Sequence, residues 1–345
     1  MNETKLENGP AAASEGIDKT AGTSVFINSK KENIFKPIQA VSGVVQRKQP
    51  LPVLSNILFV QKGKQEKLVA NDLDLQILTV AEIGEENSEM STTISARKLT
   101  DILATLPDTN PLSFSKKGDH VVLSSGKSKF ELQTISAEEF PVITEVDLEH
   151  AFTMSCLHFK YLLNMVSFAC AVNNVRYFLN GVYICAENNK VRGVATDGHR
   201  LALCDVEAEK TADKKLDAIL PRKTVKELVR LIPDSQDPIE VYISERQIKF
   251  KFVGIEILSK LVEGRYPDYQ RVIPEHNEKE FRVGRQELLS SLQRVATLTA
   301  DKLIRATLRS LPTMRTWRKP KTKSPLNTVA LRLKSVLMSP TSSKF

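Results

Sequence analysis

A repeated succession of helical and β-rich segments constrains the fold of this chain more than any other feature of the sequence. Apolar residues recur with helical spacing in five segments, and short β-rich runs flank each of them. The predicted helices cover residues 33–44, 96–106, 157–169, 222–231 and 285–298. A helix therefore recurs in the same context roughly every 125–130 residues, near residues 33, 157 and 285. This spacing predicts two full repeats and the start of a third.

The predicted strands give an α+β fold class. β-rich runs occur at residues 54–60, 121–124, 181–186, 239–243 and 255–261. Repeats that contain strands and two helices, packed side by side, bury their apolar surfaces when the helices lie on one face of a sheet. Prolines at positions 107, 141, 221, 233 and 274 are expected at element ends, where a missing N–H matters least.

The composition is that of a soluble globular protein with two or three domains. Of the 345 residues, 41% are hydrophobic and 26% are charged. No apolar run approaches the ~18 residues of a membrane helix, and the N-terminus has no secretory signal pattern. Cys156, Cys170, Cys185 and Cys204 show no metal-site spacing, so we expect reduced thiols and a cytoplasmic protein.

The charge is divided unevenly along the chain. Residues 303–345 contain ten Lys and Arg and no Asp or Glu. Because the whole chain has a net charge of +8, residues 1–302 alone have a net charge of −2. The chain thus combines a mildly acidic body with a wholly basic end, and each is interpreted separately.

Catalytic and cofactor-dependent functions find little support in the sequence. Asp197 lies two residues from His199 and could orient a general base, but no nucleophile stands in a recognisable elbow. The five histidines (120, 150, 158, 199 and 276) form no HxH or HxxxH pair, and no Gly-rich phosphate loop occurs. We therefore expect no catalytic residues, no metal and no cofactor.

Three motifs carry a resemblance to a known family. They are NNVRYFLNGVYI at residues 173–184, VATDGHRLAL at residues 194–203 and SKLVEGRYPDYQRVIP at residues 259–274. All three closely resemble segments of the bacterial DNA sliding clamp, the beta subunit of DNA polymerase III. The resemblance extends over roughly residues 25–302, with the motifs in the family's order.

The resemblance implies a domain organisation. Residues 25–148 and 149–274 would form clamp domains 1 and 2, and residues 275–302 would begin domain 3. Residues 1–24 are expected to be a disordered extension, because they contain almost no large apolar residue. In the clamp fold, tandem repeats put the helices on the inner face of a ring and the β-sheets outside.

The resemblance also implies a function. The family protein is a homodimer, a head-to-tail ring that encircles duplex DNA without reading its sequence. It is a non-catalytic part of the polymerase holoenzyme and tethers the replicative DNA polymerase to confer processivity. The polymerase and a separate ATP-driven clamp loader bind it through short peptide motifs. No membrane is involved.

The family's partner-peptide pocket can be transferred to this sequence residue by residue. Its positions correspond to Leu179, Thr196, Gly198, His199, Arg200, Leu201, Pro267, Arg271 and Val272, with Arg176 and Phe178 beside them. These residues offer an apolar floor, a glycine that permits close approach and a few donors. Phe178 is a departure, because the family often has tyrosine there. An alternative for residues 194–201 alone is an ordinary strand–turn–strand.

The expected DNA-binding residues are basic or amide side chains. The resemblance places Lys48 and Asn173 on loops at the channel mouth, and the helical segments contribute Arg97, Lys98, Arg222 and Lys223. Lys36, Lys226, Arg230, Arg282 and Arg285 also lie on or beside helices. Such residues could neutralise phosphates of any sequence. The alternative is that Lys and Arg are common on any exposed helix face.

Ring closure in the family joins the first domain of one subunit to the third domain of another. On the first-domain side the corresponding residues are Phe130 and Leu132, and on the third-domain side Thr297 and Leu298. From periodicity alone, Phe130 and Leu132 could equally belong to an ordinary core.

The clamp pattern stops after Lys302. In a shifted reading frame, each new codon consists of the third base of one codon and the first two bases of the next. With permitted codons, residues 317–323 then encode EEAEDEI. Residues 326–344 can likewise spell EYSGAALEIGFNVTYIIE, which resembles the family's third domain. We therefore expect an aberrant, frameshifted tail at residues 303–345 that is largely disordered. The alternative is a natural basic tail that binds nucleic acid.

Three competing functions stay open at this stage. The first is a clamp-derived two-domain fragment that binds clamp-partner peptides without encircling DNA. The second is a hydrolase that uses Asp197 and His199. The third is a nucleic-acid-binding protein that acts through its basic tail.

Overall fold

The computed structural model describes residues 24–46, 49–85, 89–273 and 283–296. The chain divides into two compact units, residues 1–266 and 267–345, and each is described by itself. Lys48, Thr297, Leu298 and the tail from residue 303 onward lie outside the described residues, so the predictions for them stay predictions. Among the helices of the described part, none is long and apolar enough to cross a membrane.

The first repeat contains eight strands and two helices. In chain order they are β1 (Ser24–Ser29), α1 (Lys31–Ser42), β2 (Asn56–Lys62), β3 (Gln65–Asn71), β4 (Leu75–Glu82), β5 (Glu89–Ser95), α2 (Ala96–Thr105), β6 (Leu112–Lys117), β7 (His120–Ser125) and β8 (Ser128–Gln133). Ser24, which the sequence analysis assigned to the N-terminal extension, pairs with Lys116 as part of β1, and residues 1–23 lie outside the described residues.

The second repeat follows the same order with one added short strand. It comprises β9 (Glu149–Ser155), α3 (Cys156–Val166), β10 (Gly181–Glu187), β11 (Lys190–Thr196), β12 (Leu201–Glu207), β13 (Lys210–Thr211), β14 (Leu216–Pro221), α4 (Arg222–Leu231), β15 (Pro238–Ile243), β16 (Gln247–Phe252) and β17 (Ile255–Lys260). The second unit contains a 3-10 turn at Tyr269–Val272 and α5 at Arg285–Ala296.

Three antiparallel sheets organise the first unit. One has the order β1-β6-β7-β8 and another the order β12-β11-β10-β14. The third runs over nine strands, β13-β9-β15-β16-β17-β4-β3-β2-β5, and so crosses from one repeat into the other. This shared sheet explains why the two predicted clamp domains form one compact unit rather than two.

The pairing of β4 with β17 is the junction between the repeats. Ile77 and Ile257 lie opposite each other there, and both are fully buried. Beside the strands, Arg230 of α4 donates hydrogen bonds to the carbonyl oxygens of Gln39 and Ala40, at 3.2 and 2.7 Å. These are unsatisfied carbonyls at the end of α1, so the arginine caps a helix of the other repeat.

Amphipathic helices cover the sheets. In α1, Ile34, Ile38 and Val41 are buried at i, i+4 and i+7, which is the spacing of a single helix face. In α3 the corresponding face includes Phe159 and Leu163. Burying each such side chain contributes about 1.5–3 kcal/mol, so helix–sheet packing stabilises both repeats.

The predicted elements agree with the observed ones to within a few residues. The α+β fold class is confirmed, and the five predicted helices correspond to α1–α5. The helix predicted at 157–169 is an α-helix only to Val166 and ends in a 3-10 turn, Ser167–Ala169. One proline, Pro37, lies inside a helix, within α1, rather than at an element end.

Candidate functional site

The turn between β11 and β12 is held by its own side chains. Asp197 accepts hydrogen bonds from the backbone N–H groups of His199 and Arg200, at 2.9 and 3.0 Å, and from Nε of Arg200 at 3.0 Å. Thr196 accepts a hydrogen bond from the N–H of Gly198 and donates one to the carbonyl of Arg200. Gly198 has φ +90°, which a residue with a Cβ rarely adopts.

This geometry gives Asp197 a structural role. Partial burial disfavours its charged form, but the hydrogen bonds from His199 and Arg200 outweigh that effect and lower the pKa of the carboxyl. His199 is exposed, and its backbone rather than its ring contacts Asp197. The pair is therefore not arranged as a base and its orienting carboxylate.

Arg200 connects the turn to the end of α3. Its Nη2 donates a hydrogen bond of 2.8 Å to the carbonyl oxygen of Phe168, and its guanidinium lies 5.6 Å from the centre of the Phe168 ring. Phe168 itself is 59% exposed. The pair therefore forms an amphipathic surface beside the turn.

The loop before β10 carries the first motif and is also internally bonded. The side chain of Asn180 accepts from the N–H of Asn174 and donates to its carbonyl, both at 2.9 Å. A 3-10 turn, Tyr177–Leu179, buries Leu179 almost completely. Arg176 stays exposed, and a Cβ at Gly198 would lie 3.1 Å from its Nη2. The first two motifs therefore meet at Arg176 and Gly198.

The first half of the third motif packs against the second repeat. Tyr266 stacks on Tyr183 of β10, with ring centres 5.0 Å apart. Its second half lies in the second unit, where Arg271 forms an ion pair of 2.8 Å with Asp268 and Val272 is 61% exposed. The pocket residues Pro267, Arg271 and Val272 belong to that unit.

Exposed apolar side chains surround the motif residues, and the sequence analysis missed them. Val172, Val175 and Tyr177 project from the loop before β10. Leu157, Tyr161 and Met165 form a stripe at i, i+4 and i+8 on the solvent side of α3. The spacing alone could have found this stripe, but α3 is apolar on most sides, so no single face stands out in the sequence.

The predicted DNA-binding residues have different environments. Arg97, Lys98 and Arg222 are exposed on α2 and α4. Lys223 is half-buried and forms an ion pair with Asp72 of the first repeat, which neutralises its charge. Burial lowers the pKa of Lys223, although the charge of Glu227 acts in the opposite direction. Asn173 is exposed with φ +52°.

The two first-domain interface residues also differ. Leu132 is buried in the main hydrophobic core, which corresponds to the alternative given by its periodicity. Phe130 is only partly buried and packs at the border of that core. Within the described residues no group of three or more potential metal ligands occurs, and the cysteines form no disulfide. Burial raises the pKa values of Cys156 and Cys170 to about 11.

Comparisons with known proteins match both repeats of this chain. Residues 25–144 match the DNA polymerase III beta subunit, N-terminal domain, and residues 153–268 match its central domain. The beta sliding clamp of Pseudomonas putida is 35% identical over 273 residues, which cover 79% of this chain and 74% of that protein. The clamp of Escherichia coli (strain K12) is 33% identical over the same coverage.

Solved structures give the same result. The sliding clamp of Pseudomonas aeruginosa bound to griselimycin superposes with a TM-score of 0.76 at 33% identity, covering 79% of this chain and 74% of that one. The clamp of Bacillus subtilis has a TM-score of 0.76 at 25% identity, with 81% and 75% coverage. The fold and these relatives together define a non-catalytic processivity factor. The chain belongs to the family of DNA polymerase III beta subunits, the bacterial sliding clamps.

Proposed function

We propose that this chain encircles duplex DNA as part of a ring and tethers the replicative polymerase through a peptide pocket on its second repeat. The observation that supports the pocket best is the close approach of the Arg176 guanidinium to Gly198, in the loop that also carries the buried side chain of Leu179. A fixed apolar floor with a guanidinium at its edge suits a short peptide with apolar anchors. The clamp loader would use the same pocket, and the cytoplasm is the proposed compartment.

The DNA-binding part of the proposal rests on exposed cations of the helices. Lys36 on α1, Arg97 and Lys98 on α2, and Arg222 and Lys226 on α4 are all exposed. Point charges on helix surfaces can neutralise phosphates without fixing a register, which permits sliding. Lys223 and Arg230 contribute less in this proposal, because Asp72 and the carbonyls of α1 already bind them.

Peptide binding tests the pocket. A fluorescent peptide that spans the clamp-binding segment of the replicative polymerase is titrated with the full chain. We expect Arg176→Ala to weaken binding roughly tenfold, which is about 1.4 kcal/mol. Arg246→Ala is the matched control, because Arg246 is exposed on the turn between β15 and β16. Equal affinities of the two variants would contradict the pocket.

A second candidate function is a clamp derivative that binds partner peptides without encircling DNA. It is favoured by the approach of Arg176 to Gly198 and the hydrogen bond of Arg200 to Phe168, both of which lie within the second repeat. Retention on circular duplex DNA after loading separates the two functions. A tethering clamp stays on circular DNA and leaves linearised DNA, whereas the derivative binds peptide and is retained on neither.

A further inference from the structure

Helix α4 carries four cationic side chains, and the first repeat holds two of them. Arg222 and Lys226 are exposed on the helix. Lys223, in contrast, forms an ion pair with Asp72, and Arg230 donates its hydrogen bonds to carbonyl oxygens at the end of α1. Both acceptors belong to the first repeat. The junction between the repeats therefore determines how much positive charge α4 presents to a polyanion.

The carboxylate of Asp72 is fixed by its own turn before it contacts α4. Its Oδ1 accepts hydrogen bonds from the N–H groups of Asp74 and Leu75, at 3.3 and 3.0 Å. Its Oδ2 accepts a hydrogen bond of 3.0 Å from Nε2 of Gln46 and pairs with the ammonium of Lys223. The side chain of Asp72 is only 5% exposed. One oxygen thus maintains the turn, and the other holds a cation of the second repeat.

Lys223 lies at the border of the exposed face of α4. It precedes Lys226 by three residues, and residues with this spacing are neighbours on a helix surface. Glu227, one turn further on, already accepts a hydrogen bond of 2.8 Å from Nε of Arg230 through its Oε2. Asp72 is therefore the carboxylate that holds Lys223. The flexible four-carbon stem of a lysine would let a released ammonium join that of Lys226 on the solvent side.

Helix α2 of the first repeat carries the same pair of cations in a different environment. Arg97 and Lys98 directly precede two buried residues four apart, as Arg222 and Lys223 do in α4. Lys98 is exposed, whereas its counterpart Lys223 is half-buried against Asp72. A lysine at the same place in the two helices is thus accessible in one repeat and neutralised in the other. The local sequence is shared, so the difference arises from Asp72.

We propose that Asp72 is a positioning residue of the DNA-binding surface, which holds the ammonium of Lys223 away from the phosphates of the duplex and so limits the affinity for DNA. The inference rests on the proposed function, since it takes duplex DNA as the ligand of α4. A paired lysine presents no net charge to a phosphate and releases no counterion on binding. One phosphate contact fewer weakens binding to every sequence alike, which favours movement along DNA.

The salt dependence of DNA binding tests this role. A fluorescein-labelled duplex oligonucleotide of mixed sequence is titrated with the full chain at several NaCl concentrations, and anisotropy gives the affinity. Asp72→Asn removes the charge and keeps an oxygen for the N–H groups of the turn. We expect it to bind several-fold more tightly. The slope of log affinity against log salt should become steeper by about 0.9, which corresponds to one further phosphate contact.

A double variant shows whether the gain depends on Lys223. Asp72→Asn combined with Lys223→Gln removes both charges of the ion pair, so the net charge of the chain is unchanged. The affinity and the salt slope are expected to return to those of the unmodified chain. A gain that persists in the double variant would come from the lost negative charge alone and would overturn the proposal. So would a single Asp72→Asn variant that binds with unchanged affinity and slope.

Lys226→Gln is the matched control on the same helix, because Lys226 is exposed. It is expected to weaken binding and to make the salt slope shallower by about 0.9. If neither Lys226→Gln nor Arg222→Gln changed binding, the DNA-binding part of the proposed function would fail. If both weakened binding while Asp72→Asn did not strengthen it, only the role of Asp72 would be wrong. The two failures are therefore distinguishable.

A second measurement covers the case in which Asp72→Asn does not fold, because that variant leaves Lys223 half-buried without its counter-charge. Circular dichroism identifies this outcome. Lys223→Gln then decides, since its amide can still donate to Asp72. It is expected to keep the salt slope of the unmodified chain, because Lys223 makes no phosphate contact while it is paired. A slope as shallow as that of Lys226→Gln would overturn the proposal, and a purely structural role of Asp72 would change stability without changing any slope.

Discussion

The turn after β3 and the turn after β11 have the same local structure and different environments. In the first repeat, Asp72 accepts hydrogen bonds from the N–H groups of Asp74 and Leu75, just as Asp197 does from His199 and Arg200. Leu73 has φ +77° where Gly198 has φ +90°. Yet the side chain of Asp72 is 5% exposed and that of Asp197 is 23% exposed.

The difference between the two turns arises from what packs beside them. β17 and α4 of the second repeat pack against the first turn, so Asp72 becomes part of an internal junction with Lys223. The described residues place no strand beside the second turn, and its backbone and Arg200 remain accessible. One local structure thus serves as a folded interface in one repeat and as a candidate binding site in the other.

The largest expected effect comes from replacing a large buried residue of the junction by the smaller residue found at the corresponding position of the second repeat. Ile77 is fully buried against Ile257, and its counterpart in β12 is Ala202. We expect Ile77→Ala to lower the free energy of unfolding by about 2–5 kcal/mol, through lost burial and the cavity that remains. Urea unfolding measures this change. Leu203→Ala, at an exposed position, should cost less than about 1 kcal/mol, and similar losses for both would contradict the comparison.

A buried acid distinguishes the cores of the two repeats. Glu66 of β3 is fully buried, neither carboxyl oxygen has a hydrogen-bond partner among the described residues, and the corresponding residue of β11 is Val191. Burial raises the pKa of Glu66 to about 8, from 4.5. Between these two pH values the unfolded chain has lost the proton and the folded chain retains it, so stability falls as pH rises.

Glu66→Val should therefore stabilise the protein at pH 8 by roughly 1–3 kcal/mol and flatten the pH dependence between pH 5 and pH 8. Unfolding curves at several pH values measure both effects. Glu66→Gln is the control that removes the titration but keeps a polar group. If Glu66→Val left the pH profile unchanged, groups other than Glu66 would dominate the dependence of stability on pH.

The smallest effect is expected at the rim of the junction. Lys260 and Asp74 form an ion pair of 3.2 Å, and both side chains are more than half exposed. Their counterparts, Gln133 at the end of β8 and His199 in the β11–β12 turn, are not an opposite-charge pair of this kind. We expect Lys260→Ala to cost about 0.5 kcal/mol or less, decreasing further at high salt. A loss above 1 kcal/mol would indicate that this ion pair fixes the junction.

Much of the site was predictable because its stabilising contacts are local. The hydrogen bonds of Asp197 and Thr196 reach only two to four residues along the chain, so the motif itself carries them. Leu179 is likewise positioned by a local element, because it is the last residue of the 3-10 turn Tyr177–Leu179. In contrast, the ion pair of Lys223 with Asp72 and the helix cap by Arg230 join residues far apart in sequence, and composition gave no sign of either.

The sequence by itself determined the repeated α+β elements, the family and the self-supporting turns, because periodicity and short-range hydrogen bonding are properties of the local chain. Only the tertiary structure decided which surfaces those elements expose. It buried Asp72 and left Asp197 accessible, and it kept Met165 on the solvent side of α3. The physical reason is that burial depends on which distant strand arrives at an edge, and β17 reaches β4 but not β12.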